Sequence, residues 1–305
     1  MKKRIHLICA ARPNFMKVAP LYHELLRSGD FEPILVHTGQ HYDVNMSDSF
    51  FEDLALPDPH FHLGIGSGSH AEQTGRTMIA FEQLCREDRP DLVLVVGDVN
   101  ATVACVLAAA KLHIPTVHLE AGLRSRDRQM PEEINRIVTD SISDLLLTPS
   151  PDADKNLLQE GVSQEKIRFV GNIMMDSLEL VRAKIEALEY WKELSLTPRS
   201  YGLVTLHRPS NVDDPVMLSS LVEALRATSE HLALVLPLHP RTKKNLERHS
   251  LLDRLASQPN IVLTEPLGYC AFMSLLFSAS LVVTDSGGIQ EETTYLGIPC
   301  LTRRD

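Results

Sequence analysis

Short apolar runs alternate along the chain with longer stretches whose apolar residues recur at helical spacing. Residues 5–10, 34–38, 92–96 and 116–119 are apolar runs of strand length. Between them, 17–27, 71–87 and 102–112 place apolar side chains three and four apart, as one buried helix face requires. The pattern restarts after Arg199, with strand-length runs at 202–206, 233–238, 261–264, 281–284 and 299–302 and helical segments between them. Strands that are apolar throughout and alternate with helices predict parallel sheets covered on both faces. Two such series predict an α/β protein of two doubly wound, Rossmann-like domains, residues 1–171 and 199–305. The polar, helix-rich stretch 172–198 is the expected connection, with Asn172 and Asp176 as structural residues near it.

In doubly wound sheets ligands bind beyond the carboxyl ends of the strands, and the polar residues of this chain gather there. The run 281–284 leads into Asp285-Ser286-Gly287-Gly288-Ile289-Gln290-Glu291-Glu292. A strand that stops at Ser-Gly-Gly and turns into a helix collects free backbone N–H groups at the positive end of the helix dipole, which suits a phosphate. The two glycines let a ligand approach the backbone closely, and Glu291 and Glu292 are acceptors suited to sugar hydroxyls. Arg12 follows the first run, Asp98 the third and Glu120 the fourth, and Glu132 opens a helix soon afterwards. His207 and Arg208 follow 202–206, and His239 follows 233–238. Each has a structural explanation: Asp98 as a helix cap, Glu120 as a partner of Arg124, His207 as a satisfied loop histidine. Three acids and a histidine recurring near a phosphate cradle favour a site.

Composition removes several classes. The formal net charge is −10, whereas nucleic-acid binders carry basic patches. No apolar run approaches the roughly 20 residues that span a bilayer, and the basic start followed by 5–11 reads as a first strand, not a leader. The five cysteines are scattered and never in C-x-x-C spacing, the pattern of reduced, mostly buried thiols in a cytoplasmic protein. The first strand lacks the G-x-G-x-x-G turn of a dinucleotide site, and neither a Walker motif, H-E-x-x-H nor G-x-S-x-G occurs. His60 and His62 form a lone pair on a Pro-rich loop and read as surface residues. No cofactor and no metal are expected.

Seven motifs stand in order: A-R-P-N-F-M-K-V-A-P-L from Ala11, H-T-G-Q-H-Y-D-x-N-M-S from His37, V-G-D-V-N-A-T from Val96, L-E-A-G-L-R-S from Leu119, M-P-E-E-I-N-R from Met130, H-R-P-S-N-V-D from His207, and T-D-S-G-G-I-Q-E-E from Thr284. Together they resemble the non-hydrolysing bacterial and archaeal UDP-N-acetylglucosamine 2-epimerases. The resemblance implies a GT-B-like fold whose two domains face a cleft, and interconversion of UDP-N-acetylglucosamine and UDP-N-acetylmannosamine for surface-polysaccharide synthesis. It implies elimination of UDP to a 2-acetamidoglucal and readdition from the other face, with no redox cofactor. Carried over motif by motif, the catalytic set is Asp98, Glu120, Glu132 and His207, with the C2 base unassigned among the acids. Arg12, Arg208, His239, Ser286, Gly287, Gly288 and Glu292 form the substrate- and nucleotide-binding set. Gln40 and His41 match an allosteric UDP-sugar site, although here they are followed by Tyr42-Asp43 in place of the family's Arg and amide.

The expected partner is a UDP-sugar, with no nucleic acid or membrane, in a cytoplasmic homodimer. The last apolar run is followed directly by Arg303-Arg304-Asp305, so the second domain is expected to lack the family's C-terminal closing helices. A related UDP-diacetamido-uronic acid as substrate, a GT-B glycosyltransferase, and a UDP-sugar-binding protein without catalysis are the alternatives.

Overall fold

A computed structural model of the protein describes residues 2–10, 12–39 and 53–303. It divides into two compact units, Met1–Leu180 and Val181–Asp305. The first contains β1 (Lys3–Cys9), α1 (Arg12–Ser28), β2 (Phe31–His37), β3 (Phe61–His62), α2 (His70–Glu87), β4 (Leu92–Val96), α3 (Asn100–Lys111), β5 (Thr116–Leu119), α4 (Pro131–Ile142), β6 (Leu145–Thr148), α5 (Pro151–Gln159) and β7 (Ile167–Phe169). The division falls inside α6 (Ile173–Leu188). The second unit contains β8 (Tyr201–Thr205), α7 (Pro209–Val212), α8 (Pro215–Ser229), β9 (Ala233–Pro237), α9 (Pro240–Arg248), α10 (Leu252–Ala256), β10 (Ile261–Thr264), α11 (Tyr269–Ser278), β11 (Leu281–Thr284), α12 (Gly287–Leu296) and β12 (Cys300–Thr302).

The described strands of the first unit form one sheet in the order β3-β2-β1-β4-β5-β6-β7, and those of the second one in the order β10-β9-β8-β11-β12. Every pairing is parallel. Both orders reverse beside the first strand of the unit, at β1/β4 and at β8/β11, which is where doubly wound sheets open a crevice for ligands.

The central strands are largely apolar because helices cover both of their faces. Ile8, Val36 and Val95 pack with Phe81 and Cys85 of α2 and Val106 of α3. In the second unit Val204, Leu234 and Leu236 pack with Val222 of α8 and Leu246 of α9. Each such side chain contributes roughly 1.5–3 kcal/mol on leaving water. Helix α2 starts at a full capping box, with Ser69 Oγ accepting from Glu72 N–H and the Glu72 carboxylate accepting from Ser69 N–H, an arrangement whose cap alone is worth about 1 kcal/mol.

The runs at 92–96, 116–119, 261–264 and 281–284 coincide with strands β4, β5, β10 and β11. Strands β3, β6 and β7 were not foreseen. They are short, and pairing with neighbours sets them more than any local pattern does. His60 and His62 are partly structural: His60 Nδ1 accepts the Leu35 N–H at 3.0 Å, and His62 on β3 stacks edgewise on His37 at 5.3 Å between centroids. Cys9, Cys85, Cys105 and Cys270 are buried thiols outside any disulfide, and burial pushes that of Cys85 up to about 12. Among the described residues no helix is long and apolar enough to cross a membrane.

Candidate active site

At the β1/β4 crevice of the first unit, β1 runs into α1, whose Asn14 ties two strand ends together. Its Oδ1 accepts from Ala10 N–H and its Nδ2 donates to the Val96 carbonyl, both at 3.2 Å. One turn further along α1, Lys17 forms an ion pair with Glu120. Glu120 sits just past β5 with a left-handed backbone (φ 73°). Its N–H and that of Ala121 both donate to the Leu147 carbonyl at 3.0 Å, so the turn that aims its carboxylate is pinned to β6. Between β4 and α3, Gly97 adopts φ 69°, and a β-carbon there would lie 3.5 Å from Glu120 Oε2. Asp98 follows and pairs with Arg136 of α4, which also holds Glu133 at 3.0 Å. Asn135, beside Arg136, donates to the Asp98 carbonyl at 2.8 Å.

Asp98 is therefore tied to α4, whereas Glu120 is held by Lys17 of α1 and by β6. Glu132 lies on the first turn of α4, partly buried, with no hydrogen-bonding partner among the described residues. The structural explanations of the two paired acids give way to other partners. The residue capping α3 is Val99, without a side-chain bond, and Asp98 serves Arg136. Arg124 pairs with Asp140 and Glu160, and Glu120 takes Lys17.

Beneath this site, Gly122 has φ 79°, and a β-carbon there would stand 2.5 Å from the Ala153 carbonyl oxygen. Gly122→Ala is expected to cost on the order of 2 kcal/mol or more, because both the backbone conformation and the contact resist it. A fall in the urea midpoint with an unchanged slope is the readout, and an unshifted midpoint would refute the reading.

The second unit carries a matching crevice at β8/β11. Fully buried Asp285 closes β11 and accepts from four groups. These are His207 N–H at 2.9 Å, Arg208 N–H at 2.9 Å, Asn211 Nδ2 at 3.0 Å and His207 Nδ1 at 2.8 Å. Burial alone would raise its carboxyl, but the hydrogen bonds from His207, Asn211 and the two backbone groups hold it well below the usual carboxylate range. Asp285 therefore fixes the His207 ring through Nδ1, and Nε2 has no partner among the described residues. His239 stacks beside it at 5.6 Å between centroids and caps α9, its Nδ1 accepting Arg241 N–H at 3.2 Å. Burial lowers the His239 imidazole, and the charges of His207 and Arg241 lower it further. The guanidinium of Arg208 has no partner among the described residues.

Ser286 is the N-cap of α12 without a side-chain cap bond, and Gly287 and Gly288 form the first helical positions. A side chain at Gly288 would meet nothing within 4 Å. The helix end therefore presents open N–H groups. Glu292, one turn on, is 6 % exposed and accepts from the Tyr269 hydroxyl at 3.2 Å. Burial raises its carboxyl to about 7, the Tyr269 bond opposing and the Glu291 charge adding.

Arg12 opens α1, and Gln40 and His41 lie outside the described residues. Among the described residues no group of His, Cys, Asp and Glu is arranged to hold a metal ion. Lys17, Arg136, His118 and Asp140 in the first unit and Asp285 in the second hold the candidate residues or their segments yet were not singled out from sequence. Lys17, Arg136 and Asp285 lie inside the motifs named above, so the signal was present, but their partners are far away in the chain.

Two parallel, doubly wound units, each with polar residues at its switch point, define the chain as a GT-B-like protein built for a nucleotide-linked ligand. The chain belongs to the UDP-N-acetylglucosamine 2-epimerase family, whose profile matches residues 23–305. It is 42% identical over 308 residues to the UDP-N-acetylglucosamine 2-epimerase of Methanocaldococcus jannaschii, covering 99% of this chain and 84% of the relative. It is 43% identical over 306 residues to the UDP-2,3-diacetamido-2,3-dideoxy-D-glucuronate 2-epimerase of Pseudomonas aeruginosa, covering 99% and 83%. The crystal structure of the M. jannaschii UDP-GlcNAc 2-epimerase in complex with UDP-GlcNAc and UDP superposes with a TM-score of 0.83 at 42% identity, over 99% of this chain and 84% of that one.

Proposed function

We propose that this protein is a UDP-N-acetylglucosamine 2-epimerase that inverts C2 by eliminating and re-adding UDP. The observation that carries the reading is the pair of switch-point sites: carboxylates held by cations in one unit, and an open helix N-terminus beside a fixed histidine in the other.

The nucleotide belongs to the second unit. Ser286, Gly287 and Gly288 hold the diphosphate by backbone N–H groups and the helix dipole. Glu292 accepts from the ribose hydroxyls, while His207, Arg208 and His239 offset charge on the departing UDP. The first unit supplies the acids, and Arg12 is assigned to the phosphates through the motif that contains it. One carboxylate takes the C2 proton, the C1–O bond to UDP breaks, and its electrons leave with the diphosphate as a C1=C2 double bond forms. A second acid returns a proton to the opposite face of C2 as the UDP oxygen re-forms the bond to C1. The two half-reactions balance without oxidant or reductant.

The test is an NMR time course with UDP-N-acetylglucosamine as sole substrate. Appearance of UDP-N-acetylmannosamine is expected. UDP binding with no change in the sugar would indicate a sensor, and consumption only when an acceptor is supplied would indicate a glycosyltransferase. The 43% identity to the diacetamido-uronate epimerase supports a second reading with that sugar, so both substrates belong in the assay.

Glu292 gives this reading a pH signature. A carboxyl raised to about 7 is protonated in the free protein below that pH and must ionise to accept two ribose hydroxyls. Affinity for UDP-N-acetylglucosamine should fall by up to about tenfold per pH unit below 7 and level off above it. Glu292→Gln should bind more weakly and lose that slope. Calorimetry from pH 5.5 to 8.5 on both proteins measures it, and parallel pH profiles would reject the role.

A further inference from the structure

His118 is fully buried on β5, two residues before Glu120, and both of its ring nitrogens are engaged. Nε2 lies 2.8 Å from the Gly97 carbonyl oxygen, and Nδ1 lies 2.6 Å from Asp140 Oδ1. The other carboxylate oxygen of Asp140 accepts the Gly122 N–H at 3.1 Å and the Arg124 Nη1 at 2.7 Å. Arg124 is anchored in turn by Glu160 at 2.6 Å.

The anchored atoms have a telling distribution. Gly97 immediately precedes Asp98, and Gly122 follows Glu120 by two residues. Asp140 stands on α4, one turn beyond Arg136 and about two beyond Glu132. A single buried pair thus grips the turn that carries Asp98, the turn that carries Glu120 and the helix that carries Glu132. Neither member reaches solvent or a ligand, since their side chains are 0% and 1% exposed. Stability is a poor reason for such a pair, because apolar side chains of equal volume often serve a fold as well or better. What a fully satisfied buried network supplies is one fixed arrangement.

We infer that His118 and Asp140 are positioning residues that hold the three acid-bearing segments in register, so that the acids reach opposite faces of the same sugar carbon. The inference rests on the reading of Asp98, Glu120 and Glu132 as the reacting acids. A group displaced by 1 Å costs on the order of 100-fold in rate, and loss of this clamp acts on the acids alone.

The experiment compares His118→Phe and Asp140→Asn with Asp98→Asn and Glu120→Gln, measuring kcat, KM and UDP affinity. His118→Phe keeps the ring volume and loses both bonds. Asp140→Asn keeps the size and the capacity to accept from Gly122. A fall in kcat of about 100-fold is expected for His118→Phe, and a smaller one for Asp140→Asn. UDP affinity should stay within about twofold for both. Folded variants with kcat near wild type would overturn the inference, as would loss of UDP affinity in step with loss of rate. If the Asp98 and Glu120 variants are themselves active, the reading of the acids fails instead. Amide exchange of the unaltered protein decides the matter should both variants fail to fold. The Gly122 N–H should be protected by about a thousandfold or more, and exchange at the rate of an open loop would remove the clamp.

Discussion

Replacing Asp98 by Asn, Glu120 by Gln or Glu132 by Gln is expected to lower kcat by about 100-fold or more while UDP affinity stays within about twofold. An acid–base group typically supplies between 100-fold and 10,000-fold, and an amide keeps the shape while removing the proton chemistry. The three substitutions should differ in stability. Glu120→Gln leaves Lys17, only 15% exposed, facing a neutral amide, and Asp98→Asn leaves Arg136 with Glu133 as its remaining anion. Glu132 has no partner to strand among the described residues, so Glu132→Gln should melt as the wild type does and is the cleanest of the three. Single-turnover rates beside calorimetric UDP titrations make the measurement. Near-wild-type rates in all three variants would remove the carboxylate mechanism, and a matching loss of UDP affinity would mean that these acids bind rather than react.

Gly288→Asp should abolish tight nucleotide binding without harming the fold. The side chain enters open space, and an acid in the first turn of a helix is worth about 0.3–1 kcal/mol in favour of the folded state. The melting temperature of the free protein should therefore hold or rise. The same carboxylate would face the bound diphosphate. Two unit charges about 5 Å apart at an effective dielectric near 20 repel by about 3 kcal/mol, so UDP affinity should drop by at least about 100-fold. In a thermal-shift assay UDP should stabilise the wild type and leave the variant unmoved, because only a ligand bound by the folded state raises the midpoint. NAD should stabilise neither. An unaltered response of Gly288→Asp to UDP would place the diphosphate elsewhere.

The candidate sites of the two units were unequally legible in the sequence. The cradle at Ser286 to Gly288 could be read directly, because a strand, two glycines and a helix start are contiguous and their geometry follows from local backbone preference. Most of the strands nearer the sheet centres could be read for a related reason: a strand buried on both faces is apolar along most of its length. Asp98, Glu120 and His207 became candidates because each stands where an apolar run ends. Strands β3, β6 and β7 were missed, since they lie at or beside the edges of their sheet and are incompletely buried, which leaves their apolar pattern weak.

What the sequence determined by itself was the class of fold, the family and the identity of the residues at the strand ends. What those residues touch was decided by tertiary structure. Lys17 meets Glu120 across 103 positions of chain, and His118 meets Asp140 across 22. His207 and Asp285 are 78 apart. None of these separations has a periodicity to detect. They are set by strand order, because one sheet places β1 beside β4 and the other β8 beside β11, and each so brings together turns that the chain keeps far apart. Sequence names the acids through local chemistry, whereas long-range pairing of parallel strands selects the cation, histidine or backbone group that holds each one in place.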